Sequence, residues 1–81
     1  MKKIPRDISA HDLIKLLGKV YNYSLTRQTG SHIRLTTNLN GQHHITIPNH
    51  NPLKLGTLSS ILSDVAEHFN KTKETVVDEL F

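Results

Sequence analysis

Three short alternating stretches, about residues 23–28, 31–37 and 42–48, constrain this chain more than any other feature. In the first, Tyr23, Ser24, Leu25 and Thr26 alternate apolar with polar. Ile33 and Leu35 alternate with His32 and Arg34 in the second, and Ile45 and Ile47 mark one face of the third. Such a period of two belongs to half-buried strands. Thr29-Gly30 and Asn38-Leu39-Asn40-Gly41 separate them, which makes a meander of two hairpins. Directly paired residues share a face, so the apolar residues must oppose one another. Pairing Ile33 with Ile47 and Leu35 with Ile45 leaves the loop Leu39-Asn40-Gly41. Pairing Leu25 with Ile33 and Tyr23 with Leu35 leaves Gln28-Thr29-Gly30. Both loops then carry glycine third, where a left-handed residue is needed, so Gly30 and Gly41 are expected at positive φ.

The same registers fill the polar face. They set Thr26 beside His32, Ser24 beside Arg34, Arg34 beside Thr46 and Pro48 opposite His32. His50 then follows close to His32 on the loop Asn49-His50-Asn51-Pro52. His43 and His44, being adjacent, fall on opposite faces, His43 toward the core.

Helical patterns flank the strands. Ser9 is a helix N-cap with Asp12 three residues on, followed by the stripe Leu13, Ile14, Leu16, Leu17 and Val20. Gly18 weakens the end of that helix, and His11 lies on its surface. Leu58, Ile61, Leu62, Val65, Ala66 and Phe69 make a second helix, broken by Asn70-Lys71-Thr72. Thr72 caps a last short helix with Val76, Val77 and Leu80 inward. The class is α+β with the order αβββαα: a three-stranded antiparallel sheet with helices on one face, the topology of double-stranded-RNA-binding domains extended by one helix. Fold of itself does not fix function.

Eighty-one residues suit a single domain, residues 1–81, with a modest core. The chain has no cysteine, which removes disulfides and thiolate metal sites. No apolar run follows Met1-Lys2-Lys3-Ile4-Pro5-Arg6, so neither a leader nor a membrane span is expected, and the cytoplasm is the expected compartment. Charge is divided unevenly. Residues 1–63 carry a net +6 and residues 64–81 a net −3, a basic body with an acidic tail. Residues 20–60 hold no Asp or Glu. That excludes paired-carboxylate and Ser-His-Asp chemistry there and suits a polyanionic partner.

His32 and Arg34, side by side on a polar strand face, have the chemistry for acid–base work on an anionic substrate. Histidine changes charge near neutral pH and can serve as base or acid. Arg27, Arg34 and Lys54 are the cations available to phosphate oxygens. The start of the second long helix, with exposed backbone N–H groups, Thr57 and nearby Lys54, also suits a phosphate. A metal held by His32, His43, His44 and His50 is disfavoured by the opposite facing of His43 and His44. No metal and no cofactor are expected.

Specific residues also carry a family likeness. Ile4-Pro5, Asp12-Leu13-Ile14-Lys15-Leu16-Leu17, Arg27-Gln28-Thr29-Gly30-Ser31-His32, Thr46-Ile47-Pro48-Asn49-His50 and Leu53-Lys54-Leu55-Gly56-Thr57-Leu58 follow one another in a characteristic order. Over roughly residues 4–66 the chain resembles the HicA toxins of toxin–antitoxin pairs, small ribonucleases with a double-stranded-RNA-binding-like fold. The chain departs from them in two places. Asn22-Tyr23 stands where Gly-Phe is frequent, and the second long helix runs about a turn further, through Glu67-His68-Phe69. The resemblance implies that His32 matches the catalytic histidine, that messenger RNA is cleaved without a metal, and that a HicB-type antitoxin protein neutralises the chain. His50 or water is then left to protonate the leaving oxygen.

Two other classes remain. A non-catalytic RNA-binding module would use helix one, the Gln28–Gly30 loop and Lys54 on phosphates. A helix-turn-helix of Leu58–Phe69 and Thr72–Leu80 ranks last, because Glu74, Asp78 and Glu79 on its recognition helix would repel DNA.

Overall fold

The computed structural model describes residues 3–81. Met1 and Lys2, part of the N-terminal stretch considered above for a leader, lie outside the described residues. The elements run α1 (Ala10–Tyr21), β1 (Ser24–Thr29), β2 (His32–Thr37), β3 (His43–Pro48), α2 (Leu55–His68) and α3 (Lys73–Leu80). The strands form one antiparallel sheet in the order β1-β2-β3. The architecture is therefore the expected α+β, αβββαα arrangement of the double-stranded-RNA-binding type.

The β2–β3 register is as the sequence dictates. Ile33 pairs with Ile47, Leu35 with Ile45, Arg34 with Thr46 and His32 with Pro48. Ile33, Leu35, Ile45 and Ile47 are all buried, under Leu13 and Leu17 of α1, Leu58, Leu62 and Val65 of α2, and Val76 and Val77 of α3. Burial of each such side chain stabilises the fold by about 1.5–3 kcal/mol. The caps hold as read: Ser9 accepts from the Asp12 N–H and Thr72 from the Thr75 N–H.

The β1–β2 register differs from expectation. Thr29 pairs with His32, Gln28 with Ile33 and Arg27 with Arg34; beyond a β-bulge the pairs are Leu25 with Leu35 and Ser24 with Thr36. The turn is the two residues Gly30-Ser31, not the three Gln28-Thr29-Gly30. Gly30 has φ 58° and Ser31 is not among the positive-φ residues, the combination that suits a tight II′ hairpin. Accordingly Thr26 does not sit beside His32, nor Ser24 beside Arg34. The apolar pattern gave no leverage here, because Leu25 is 52% exposed and β1 is exposed along its whole length. Gly41 has φ 93°, as expected, and Asn40 before it φ 57°.

Asn22, at φ 60°, ends α1 in the left-handed conformation. Glycine adopts that conformation most readily and asparagine next, so the Gly-to-Asn departure leaves the chain path intact. Gly18 sits where the Tyr23 carbonyl passes, and a Cβ there would lie 3.1 Å from that oxygen. α2 begins at Leu55, earlier than its apolar stripe, with Lys54 as an N-cap that makes no side-chain cap bond. The Asn51–Pro52 peptide before it is cis.

Both tyrosines are buried and hydrogen-bonded. The Tyr21 hydroxyl donates to Glu79 Oε1 at 2.5 Å, and Lys71 Nζ reaches the same oxygen at 2.7 Å. The Lys71 bond, reinforced by the Tyr21 hydroxyl, holds the Glu79 carboxyl below its usual range. The Tyr23 hydroxyl lies 2.7 Å from His43 Nδ1, whose Nε2 faces Asp64 at 3.5 Å. Burial raises both phenols, with Glu79 adding to the effect at Tyr21 and Asp64 at Tyr23. The sign for stability follows. Unfolded phenols lose their protons near pH 10 while the folded ones keep theirs. Above that pH the unfolded state binds fewer protons, so stability falls as pH rises. Tyrosinate absorbance of the folded chain should lag well behind that of the urea-unfolded chain, and melting temperature should drop between pH 10 and 11. Coincident absorbance titrations would contradict this placement of the rings.

Candidate functional site

His32 opens β2 on the sheet face turned away from the helices, because alternation sends Ile33 and Leu35 into the core and His32 and Arg34 the other way. It is exposed, and no hydrogen bond or ion pair engages its ring among the described residues. Thr29 stands opposite it on one side and Pro48 on the other. Arg34, half-buried, lies two residues along the same face.

The corrected register brings in Arg27. The bulge at Thr26 lets two consecutive residues address the same face: Thr26 reaches the Thr36 hydroxyl at 3.0 Å, and Arg27 becomes the direct cross-strand partner of Arg34. Neither guanidinium has a carboxylate partner, and residues 20–60 contain none to offer. Like charges directly opposite one another on a sheet are destabilising. The Arg27–Arg34 pair thus carries a stability cost that an anion on the sheet would relieve.

His50 follows Pro48 on a loop that is strapped to its surroundings. The Asn49 N–H donates to the Ser31 carbonyl at 2.6 Å, and the His50 carbonyl accepts from the Ala10 N–H at 3.0 Å. This ties the loop to the residue before His32 and to the start of α1. The His50 side chain is exposed and unengaged. Lys54, exposed at the N-cap of α2, and Thr57, half-buried in its first turn, make up a separate group, and no acidic residue lies in that turn. No hydrogen bond joins Lys54 or Thr57 to His32, Arg27 or Arg34. The structure thus gathers His32, Arg34 and Arg27 on one face and leaves Lys54 and Thr57 on the neighbouring helix terminus.

The surface around His32 is open. A groove of about 360 Å³ lined by Ile45, Thr46, Ile61 and Asp64 does not include it. An open cationic face suits a long polymer better than an enclosed small molecule. Among the described residues no three His, Asp or Glu side chains are grouped so as to hold a metal, and no helix is long and apolar enough to cross a membrane.

Sequence reasoning missed two clusters. One joins His44, Thr36 and Thr26 on the same open face; its signal was present in the β2–β3 register, which puts Thr36 opposite His44. The other surrounds His43, which besides Tyr23 and Asp64 stacks on His68 with ring centroids 4.3 Å apart. His68 Nε2 in turn meets the Leu39 carbonyl at 2.9 Å, and Asn40 Nδ2 donates to the His68 carbonyl, also at 2.9 Å. The extra turn of α2 therefore clasps the β2–β3 loop. Since Asp64 and His68 are far from His43 in sequence, spacing could not reveal the cluster.

Fold and face together define the class: a small α+β protein of the double-stranded-RNA-binding type with an unneutralised cationic sheet face and a free histidine upon it. Residues 10–66, from the start of α1 to near the end of α2, match the family model described as the HicA toxin of bacterial toxin–antitoxin systems. That span is well over half of the chain, and the chain belongs to this family, whose members are the toxins of toxin–antitoxin pairs and generally ribonucleases. No curated protein and no solved structure matches the chain.

Proposed function

We propose that the chain is an endoribonuclease that cleaves messenger RNA with His32 as its catalytic residue, and that a HicB-type antitoxin protein neutralises it. The observation that carries this is the free imidazole of His32 on the same face as the unpaired Arg27 and Arg34. RNA supplies its own nucleophile. A neutral imidazole at His32 takes the proton of a 2′-hydroxyl, and the oxygen attacks the adjacent phosphorus. The P–O5′ bond breaks, leaving a 2′,3′-cyclic phosphate on one fragment and a 5′-hydroxyl on the other. The leaving oxygen takes a proton from His50 or from water. Arg34 and Arg27 face the charge that builds on the non-bridging oxygens. Lys54, with Thr57 and the α2 N–H groups, holds a neighbouring phosphate of the same strand. No step runs through a metal, and cleavage is expected to persist in excess chelator.

The decisive experiment is expression in a growing bacterial cell. The chain alone should arrest growth and fragment messenger RNAs, and co-expression of the protein encoded beside it should relieve the arrest. A chain harmless on its own, with intact messenger RNA, would leave the non-catalytic RNA-binding module as the better account.

A further inference from the structure

The open face of the sheet carries a second histidine, whose ring is held through one nitrogen by a chain of hydrogen bonds. His44 is the cross-strand partner of Thr36, and its Nδ1 lies 2.7 Å from the Thr36 hydroxyl. That hydroxyl lies 3.0 Å from the Thr26 hydroxyl, which donates to the Arg34 carbonyl at 3.3 Å. His44 Nδ1 is thus engaged within the sheet, as donor or as acceptor according to the tautomer. His44 Nε2 has no hydrogen-bond partner among the described residues and is open to a ligand. Thr36 is almost fully buried, 8% exposed, so the chain is anchored, while the His44 ring stands exposed.

His44 shares its face with His32 and Arg34, since residues 32, 34 and 36 alternate to one side and His44 pairs with the last of them. Four residues of strand separate Thr36 from His32, roughly 13 Å at about 3.3 Å per residue. That is too far for both imidazoles to serve one phosphate. It is near enough for a strand cleaved at His32 to meet His44 as it continues over the face. Arg34 and Arg27 lie between the two, and no carboxylate interrupts the path.

We propose that His44 is a base-reading residue. Its Nε2 hydrogen-bonds the edge of an unpaired RNA base flanking the cleaved phosphate, and this sets a sequence preference. Single-stranded RNA is the ligand, because only unpaired bases turn their hydrogen-bonding edges to a protein surface of this kind. The inference rests on the ribonuclease function proposed above and adds to it the part of the substrate that selects the cleavage site.

The test maps fragment ends from a random-sequence single-stranded RNA pool cut by the wild-type chain and by His44→Ala, Thr36→Val and Thr36→Ser. Wild type should favour one class of base at a flanking position by about three- to tenfold, the range expected of one hydrogen bond. His44→Ala and Thr36→Val should flatten that preference, and Thr36→Ser, which keeps the hydroxyl, should retain it. A merely structural role would move melting temperature and total rate but not the preference. An unchanged preference in His44→Ala or in Thr36→Val, or no flanking preference in wild type, overturns the inference with the nuclease intact. Absence of cleavage by wild type is a different result. It overturns the nuclease itself, and the inference falls with it.

Discussion

His32→Ala is expected to abolish RNA cleavage while leaving the fold and most RNA binding in place. General acid–base catalysis by a positioned side chain contributes about 10²–10⁴-fold, and no other free imidazole stands on β2 to replace it. The ring makes no hydrogen bond and fills no space in the core, so its removal leaves neither an orphaned polar group nor a cavity. A surface change of this kind is usually within about 0.5 kcal/mol of neutral. Binding comes mainly from the cations, which the substitution leaves untouched. His50→Ala should cost less if water can deliver its proton. His43→Ala should act on stability, since it breaks the contacts with Tyr23, Asp64 and His68. The measurement is cleavage of a long RNA by each variant, with thermal melts alongside. Full activity in His32→Ala would sink the mechanism.

How far the sequence revealed the fold depended on where apolar residues could act as rulers. β2 and β3 each bring two core residues, and Ile33–Ile47 and Leu35–Ile45 allow only one register. β1 brings only Leu25, half exposed at the sheet edge, and a single apolar residue cannot fix a register against a bulge. Positive φ at Gly30 was legible even so, because any tight hairpin there requires it; the length of the turn was not. At the site, alternation alone placed His32 and Arg34 together. Arg27 was named for its charge alone, and Arg34 was given the wrong neighbour, Ser24, because the bulge that turns Arg27 toward Arg34 leaves no mark in the pattern. The start of α2 was read too late because Leu55 and Gly56, exposed in the first turn, add nothing to the apolar stripe.

That misplaced neighbour yields the most discriminating prediction, because stability and activity should move in opposite directions. Arg34→Ala should lower cleavage by roughly 10²- to 10³-fold, the usual cost of removing one donor aimed at charge developing on an oxyanion. Arg27→Ala, at the exposed edge strand, should follow in the same direction with a smaller loss. Neither should destabilise the chain. Each removes one member of a directly opposed like-charge pair with no carboxylate to compensate it, so melting temperature should hold or rise by the equivalent of a few tenths of a kcal/mol. An arginine kept for packing or for an ion pair would behave the other way, with variants losing stability. Lys54→Ala supplies the contrast: it should weaken RNA binding and lower the salt dependence by about one counterion, with little change in the rate at saturating RNA. Rates at saturating and limiting RNA, salt titrations of binding and thermal melts separate these outcomes. Loss of stability without loss of cleavage in Arg34→Ala would take the arginine pair out of the site and leave His32 without a partner for the phosphate charge.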